Sequence, residues 1–273
     1  MRSDNPDTTR RRVLLGVGTA LTVGLAGCGG DGDDATDSPT DSEMMSSPTD
    51  AEMMSSPTEG MGQTASVRVA HMSPDAPNVD VYVDGSAVLE DVPFGAVSAY
   101  LGVPAGDRAV EITAAGDADT SVFEGEVTVE AGTDYTVAAI GELGDMADQP
   151  FEPLVLEDDN AEVGSDEARL RVVHASPDAP AVDVTAAGGD VVLFDGVEYG
   201  GSGYTTVEAN DYTVEIRGDT MGNDGEVVAD FDVSLSGGQV YTAFAAGYLT
   251  PDDDLGDVAF DLLVAQDTGG MSG

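Results

Sequence analysis

The stretch Val69-Ala70-His71-Met72-Ser73-Pro74-Asp75-Ala76-Pro77-Asn78-Val79-Asp80-Val81 returns 103 residues later as Val172-Val173-His174-Ala175-Ser176-Pro177-Asp178-Ala179-Pro180-Ala181-Val182-Asp183-Val184. Whatever one copy folds into, the other must fold into as well, so the duplication limits the architecture before any other feature does. The correspondence continues: Val110-Glu111-Ile112 answers to Val214-Glu215-Ile216, Tyr135-Thr136 to Tyr241-Thr242, Gly141 to Gly247, and Phe151-Glu152-Pro153-Leu154-Val155 to Phe260-Asp261-Leu262-Leu263-Val264. The chain therefore carries two copies of one domain, each of about a hundred residues.

Within a copy the apolar residues alternate over short runs, as in Val79-Val81-Val83 and Val127-Val129, while Asp80, Tyr82 and Asp84 face the other way. That is the period of half-buried strands. Asp84-Gly85 and Gly188-Gly189 stand where a tight hairpin needs positive φ. In the first copy strands are expected at about 66–72, 79–84, 86–90, 97–103, 108–114, 121–130, 134–141 and 152–156, a spacing that belongs to a sandwich. The fold class is all-β: two tandem antiparallel β-sandwich domains, over residues 66–157 and 168–267, linked by an acidic segment at 158–167 and followed by a flexible tail at 268–273. With no Trp in the chain, the cores rely on Val, Leu, Ile and Ala, helped by Phe94, Tyr100, Phe123 and Tyr135.

The His-x-Ser-Pro-Asp-Ala-Pro-x-Val-Asp-Val block that opens each copy resembles the domain of unknown function 4397 family, found often in tandem in exported bacterial and archaeal proteins. The resemblance implies an immunoglobulin-like or transthyretin-like sandwich and no established activity.

The only two histidines, His71 and His174, occupy equivalent places in this block. His71, Ser73 and Asp75 supply the residue types of a nucleophilic triad, but Ser73 precedes a proline that holds it extended, and no nucleophile elbow surrounds it. No catalytic residue is assigned and no cofactor is expected. Mixed nitrogen and oxygen ligands for a metal, Ca²⁺ before Zn²⁺, are offered by His71, Asp75 and Asp80 and again by His174, Asp178 and Asp183, without an EF-hand or zinc spacing. The favoured reading is turn chemistry: proline presets φ, aspartate bonds backbone amides, and histidine ties a strand end to a nearby loop. The Asp-rich stretches Asp117–Asp119 and Asp252–Asp254 read as solvated loops that bind salt cations weakly.

Ahead of the first copy, Arg10 and Arg11 precede an apolar run from Val13 to Ala26, and Leu25-Ala26-Gly27-Cys28 ends it. The pair of arginines resembles a twin-arginine export signal, too short to span a bilayer comfortably, and the end resembles a lipobox that lipidates Cys28. Residues 1–27 are thus expected as a cleaved signal peptide. Residues 28–65 are poor in apolar residues other than Met and Ala and repeat Glu-Met-Met-Ser-Ser-Pro-Thr at Glu43 and Glu52. Such a segment reads as a disordered stalk with a reach on the order of 35 Å. Its paired methionines are soft donors for Cu(I), but no His accompanies them.

All nine basic residues are Arg, against 53 Asp and Glu. Removal of residues 1–27 takes away Arg2, Arg10, Arg11, Arg12, Asp4 and Asp7 and leaves 5 Arg against 51 acids. A body so negative repels phosphate backbones, which disfavours nucleic acid as a partner. It suits molar salt, where the Debye length is about 3 Å, and so a halophilic source, which the family and leader resemblances imply is archaeal. A single Cys leaves no intrachain disulfide. The resulting expectation is a protein of the cell membrane, held by lipid on Cys28 and facing outward. It would act as a non-enzymatic binding, adhesion or structural module toward envelope protein or polysaccharide. A ligand- or metal-capturing lipoprotein is the alternative, and an envelope hydrolase the remote one.

Overall fold

The structure, a computed structural model, describes residues 11–12, 63–144, 147–251 and 258–267. Cys28, residues 28–62 of the expected stalk, the tail, Arg10 and Asp252–Asp254 lie outside the described residues, and the end of the expected stalk is corrected, since Thr64 and the buried Ala65 already belong to the first strand of the sandwich. Among those described, no helix is long and apolar enough to cross a membrane.

The first repeat contains β1 (Thr64–His71), β2 (Val79–Val83), β3 (Ser86–Val92), β4 (Leu101–Pro104), β5 (Gly106–Ala114), β6 (Asp117–Val129), β7 (Asp134–Ile140) and β8 (Glu152–Glu157). The second repeats the series as β9 (Glu167–His174), β10 (Val182–Ala186), β11 (Val191–Val197), β12 (Ser202–Glu208), β13 (Asp211–Gly218), β14 (Val227–Ser234), β15 (Gln239–Ala246) and β16 (Asp261–Gln266). Each repeat is a sandwich of two four-stranded sheets, ordered β4-β1-β7-β8 over β3-β2-β5-β6 and β12-β9-β15-β16 over β11-β10-β13-β14. Arg11 and Arg12 add a short parallel pairing to β14, at Phe231 and Asp232.

Three further expectations are corrected. The sheets are not wholly antiparallel, because β1 runs parallel to β7 and β9 parallel to β15; the long excursion between those strands permits it. The strand expected at 97–103 begins only at Leu101, since Val97 forms an isolated bridge to Ala70 and the Ser98 hydroxyl takes the Val69 N–H at 2.9 Å. Asp117–Asp119 form the exposed start of β6 and not a loop. At the β2–β3 turn Asp84 and Gly85 have φ of 50° and 75°, the paired positive values of a type I′ hairpin.

The cores differ. In the second repeat one continuous cluster includes Leu170, Val184, Ile216, Phe231 and Leu235. In the first it breaks into two, one around Val103 and Val127 and the other around Val81 and Ile112. Between them lies an apolar cavity of about 50 Å³, lined by Val67, Val88, Leu101, Val110 and Val129 among others. Strand register explains it: Leu170, Leu193 and Leu235 stand where the first repeat has Val67, Val88 and Val129. Copying one of these leucines back, Val88→Leu, is expected to add about 0.5–1 kcal/mol of stability by burying a further methylene in existing space. Denaturant unfolding in molar salt checks it, and a loss of stability would mean that the walls cannot yield.

Candidate functional site

Each duplicated block leaves the end of its first strand and passes under the loop that follows the seventh. His71 is fully buried, and its Nε2–H donates to the Pro77 carbonyl at 3.0 Å. The carbonyl can only accept, so the imidazole carries its proton on Nε2. Its ring stands edge-on to Phe94, 6.3 Å between centroids. The Ser73 hydroxyl donates to the Gly141 carbonyl at 2.6 Å, and Asp75 accepts the Leu143 N–H at 2.9 Å. Asp80 accepts the N–H groups of Asp91 and Gly116 at 2.7 and 3.0 Å.

The second block is built alike. His174 Nε2–H donates to Pro180 O at 3.0 Å, and its Nδ1 accepts the Ser176 N–H at 3.3 Å. The Ser176 hydroxyl donates to Gly247 O at 2.6 Å. Asp178 takes the N–H groups of Leu249 and Thr250 at 2.8 and 2.7 Å, and Asp183 those of Gly196 and Thr220 at 2.9 and 3.0 Å. Gly141 and Gly247 both have φ of +86°, and a Cβ there would lie 2.3 Å from Pro150 O and 2.5 Å from Ala259 O respectively. Only glycine lets the two loops pack this closely while offering the serine a carbonyl.

The six weak metal candidates thus fall three to a block, and each bonds the backbone. Among the described residues no three His, Cys, Asp or Glu side chains converge as a metal site. The triad geometry is also lacking, since each serine hydroxyl donates to a carbonyl and each imidazole Nε2–H does the same. The side chains bond the backbone as the turn reading expects, but less locally than it supposed. The Asp75 and Asp178 partners lie 68 to 72 residues further along the chain.

Burial pushes both histidines below their ordinary value of 6.5, partly offset by the bonds to Pro77 and Pro180. Both are therefore neutral when folded. As pH falls below about 6.5 the unfolded chain takes up protons that the folded chain refuses, so the stability present above that value is lost toward the folded-state values. A melting temperature that declines between pH 7 and pH 5 is expected, and it should flatten in a His71→Gln, His174→Gln variant. An unchanged slope in that variant would assign the decline to other groups. Asp178 adds a loss at lower pH: burial alone would raise it, but the N–H groups of Thr250 and Leu249 outweigh burial and hold it below the ordinary carboxylate range.

The densest polar cluster is one that the sequence reading missed, and it lies between the repeats. Arg68 Nη1 meets Asp267 at 2.7 Å, and Arg171 Nη2 meets Asp158 at 2.7 Å. Each arginine thus pairs with the aspartate that follows the last strand of the other repeat. Arg68 also donates to Thr136 at 2.8 Å and across the joint to Thr242 at 3.0 Å; Arg171 bonds the same two threonines. Tyr100 and Tyr204 lie under the two guanidinium groups, each 5.1 Å from ring centroid to Cζ. All four charged side chains are buried. Burial opposes the Arg68 charge, but Asp267, Tyr100 and Asp158 more than compensate and raise its pKa above the ordinary arginine value. The signal in the sequence was the 103-residue shift itself, which relates Arg68 to Arg171, two of only nine basic residues.

Residues 65–185 match the family model described as "Domain of unknown function (DUF4397)". No curated protein matches. Among solved structures the chain is similar to "The Bacillus anthracis TIE protein" at 12% identity and a TM-score of 0.23, covering 68% of this chain and 34% of that one. The chain thus spans about a third of that structure. It is also similar to a family CBM26 module from Eubacterium rectale Amy13K in complex with maltoheptaose, at 9% identity and a TM-score of 0.21, covering 71% and 100%. A putative cell adhesion protein from Bacteroides eggerthii matches at 9% identity and a TM-score of 0.19, covering 77% and 97%. Likeness at this level indicates neither a shared activity nor a shared ligand. The family match and the duplicated block rest on the same residues: the matched stretch spans the first repeat, the connection and the opening block of the second.

Proposed function

We propose that the chain is a lipid-anchored, non-enzymatic module of the cell envelope, which displays two joined β-sandwiches on a flexible stalk and works by binding or structure. The supporting observation is how the duplicated block spends its side chains. His71, Ser73, Asp75 and Asp80 all bond the backbone, and their second-repeat counterparts do the same. The block is therefore scaffolding, and any partner is met by the outer, carboxylate-rich faces. The capture reading has in its favour a cavity of about 50 Å³ in the first repeat, well short of the roughly 300 Å³ at which ligand pockets begin, and an open depression of about 360 Å³ beside Phe194, Asp195 and Ser202 in the second, which does not enclose a ligand.

The anchor rests on the Leu25-Ala26-Gly27-Cys28 sequence, and one lipid chain holds a protein only marginally, so a two-chain modification is required. Native protein is expected to partition with membranes and to yield a lipid-bearing peptide beginning at Cys28, whereas Cys28→Ser is expected in the soluble fraction. An unmodified Cys28 in a chain that still carries its first residue, found away from membranes, would overturn the anchor. For the binding role, the tandem 63–273 is used as bait on native envelopes in molar salt. Retention of an envelope polysaccharide or protein is the supporting outcome.

A further inference from the structure

The joint between the repeats has the organisation of a twofold dimer folded into one chain. Strands β7 and β15 are buried on both faces. Their odd-numbered residues, such as Tyr135, Val137 and Tyr241, face their own sandwich, while Ala138, Ile140, Phe244 and Ala246 share one apolar cluster across the joint. Equivalent residues meet at both ends of these strands: Thr136 and Thr242 share the two arginines, and the Tyr248 hydroxyl donates to Glu142 at 2.9 Å. The two strands therefore run side by side along the pseudo-axis. Ala138 is then set against Phe244, and Ile140 against Ala246.

That alternation is informative. In a true twofold contact each residue on the axis meets its own copy. Here small faces large at both positions, and Met72 with Ala175 continues the exchange of sizes within the same cluster. First repeat against first repeat would oppose Ile140 to Ile140 and leave Ala138 facing Ala138, a clash beside a void. The reciprocal ion pairs by themselves would suit any pairing of repeats. The apolar sizes suit one.

We propose that this joint is a self-sufficient and pair-specific interaction surface: it holds the first repeat to a second repeat without the connecting segment, and it disfavours contact between like repeats of separate chains. The partner it fits is the second repeat of this chain, or of another copy if the two are exchanged. A protease site inserted after Glu162, in an exposed part of the connection, allows the folded full chain to be cut. In molar salt the two fragments are expected to co-elute at the mass of the uncut chain; two separate smaller species would overturn the proposal. Ala138→Phe, which sets Phe against Phe244, is expected to separate the cut fragments. Adding Phe244→Ala, which reverses the order of sizes, is expected to restore co-elution. Failure of the reversal would overturn pair specificity. A cooperative thermal transition of each uncut variant distinguishes a lost joint from a lost fold.

Discussion

Arg68→Met is expected to destabilise the chain by about 3–5 kcal/mol, the usual cost of removing one partner from a buried ion pair. Asp267 and Asp158 would remain in the joint with too little positive charge, and Thr242 would lose one of its donors. Replacing the network as a whole, with Arg68→Met, Arg171→Met, Asp158→Asn and Asp267→Asn together, is expected to cost less than Arg68→Met alone, because no buried charge is left unmatched. Denaturant unfolding in molar salt measures both. A single variant within about 1 kcal/mol of wild type would mean that water reaches the joint and that the cluster does not hold the repeats.

Lowering salt from molar to about 0.1 M, where the Debye length grows to about 10 Å, is expected to unfold the protein at ordinary temperature or to lower its melting point steeply. Beyond residue 28 there are five arginines, and each one is already in an ion pair. Besides the joint, Arg108 pairs with Asp84 at 2.9 Å, Arg169 with Asp159 at 2.9 Å and Arg217 with Glu215 at 2.7 Å. No arginine is left over to offset the remaining carboxylates, so only dissolved cations can screen them. Refolding on return of salt, followed by circular dichroism, checks the expectation. A protein equally stable at both salt concentrations would remove the basis for a halophilic source.

Much of the fold was legible because strand periodicity is local. Val79-Val81-Val83 alternates within five residues, and Asp84-Gly85 declares its turn by conformation alone. The strand ends that moved did so through partners elsewhere: Ser98 spends its hydroxyl on Val69, and so β4 starts late. The joint was illegible for the same reason on a larger scale. Arg68 reaches Thr242 across 174 residues of sequence, and no window along the chain contains both. Composition misled as well. Asp158 sits in a run of acids that reads as a solvated connection, yet its side chain is wholly buried against Arg171. Strands β7 and β15 carried a usable hint, since Val137-Ala138-Ala139-Ile140 and Ala243-Phe244-Ala245-Ala246 break the alternation of a one-sided strand. Continuous apolar runs mark strands covered on both faces.

The parallel ladder between β1 and β7 sets the order in which the molecule can be made. During vectorial synthesis at about 5–20 residues per second, the first strand of each repeat must wait, unpaired along that edge, until the seventh has emerged, and nonlocal closure of this kind is slow. Asp267 comes later still, so Arg68 lacks the nearer of its two counter-ions until the final strand is complete.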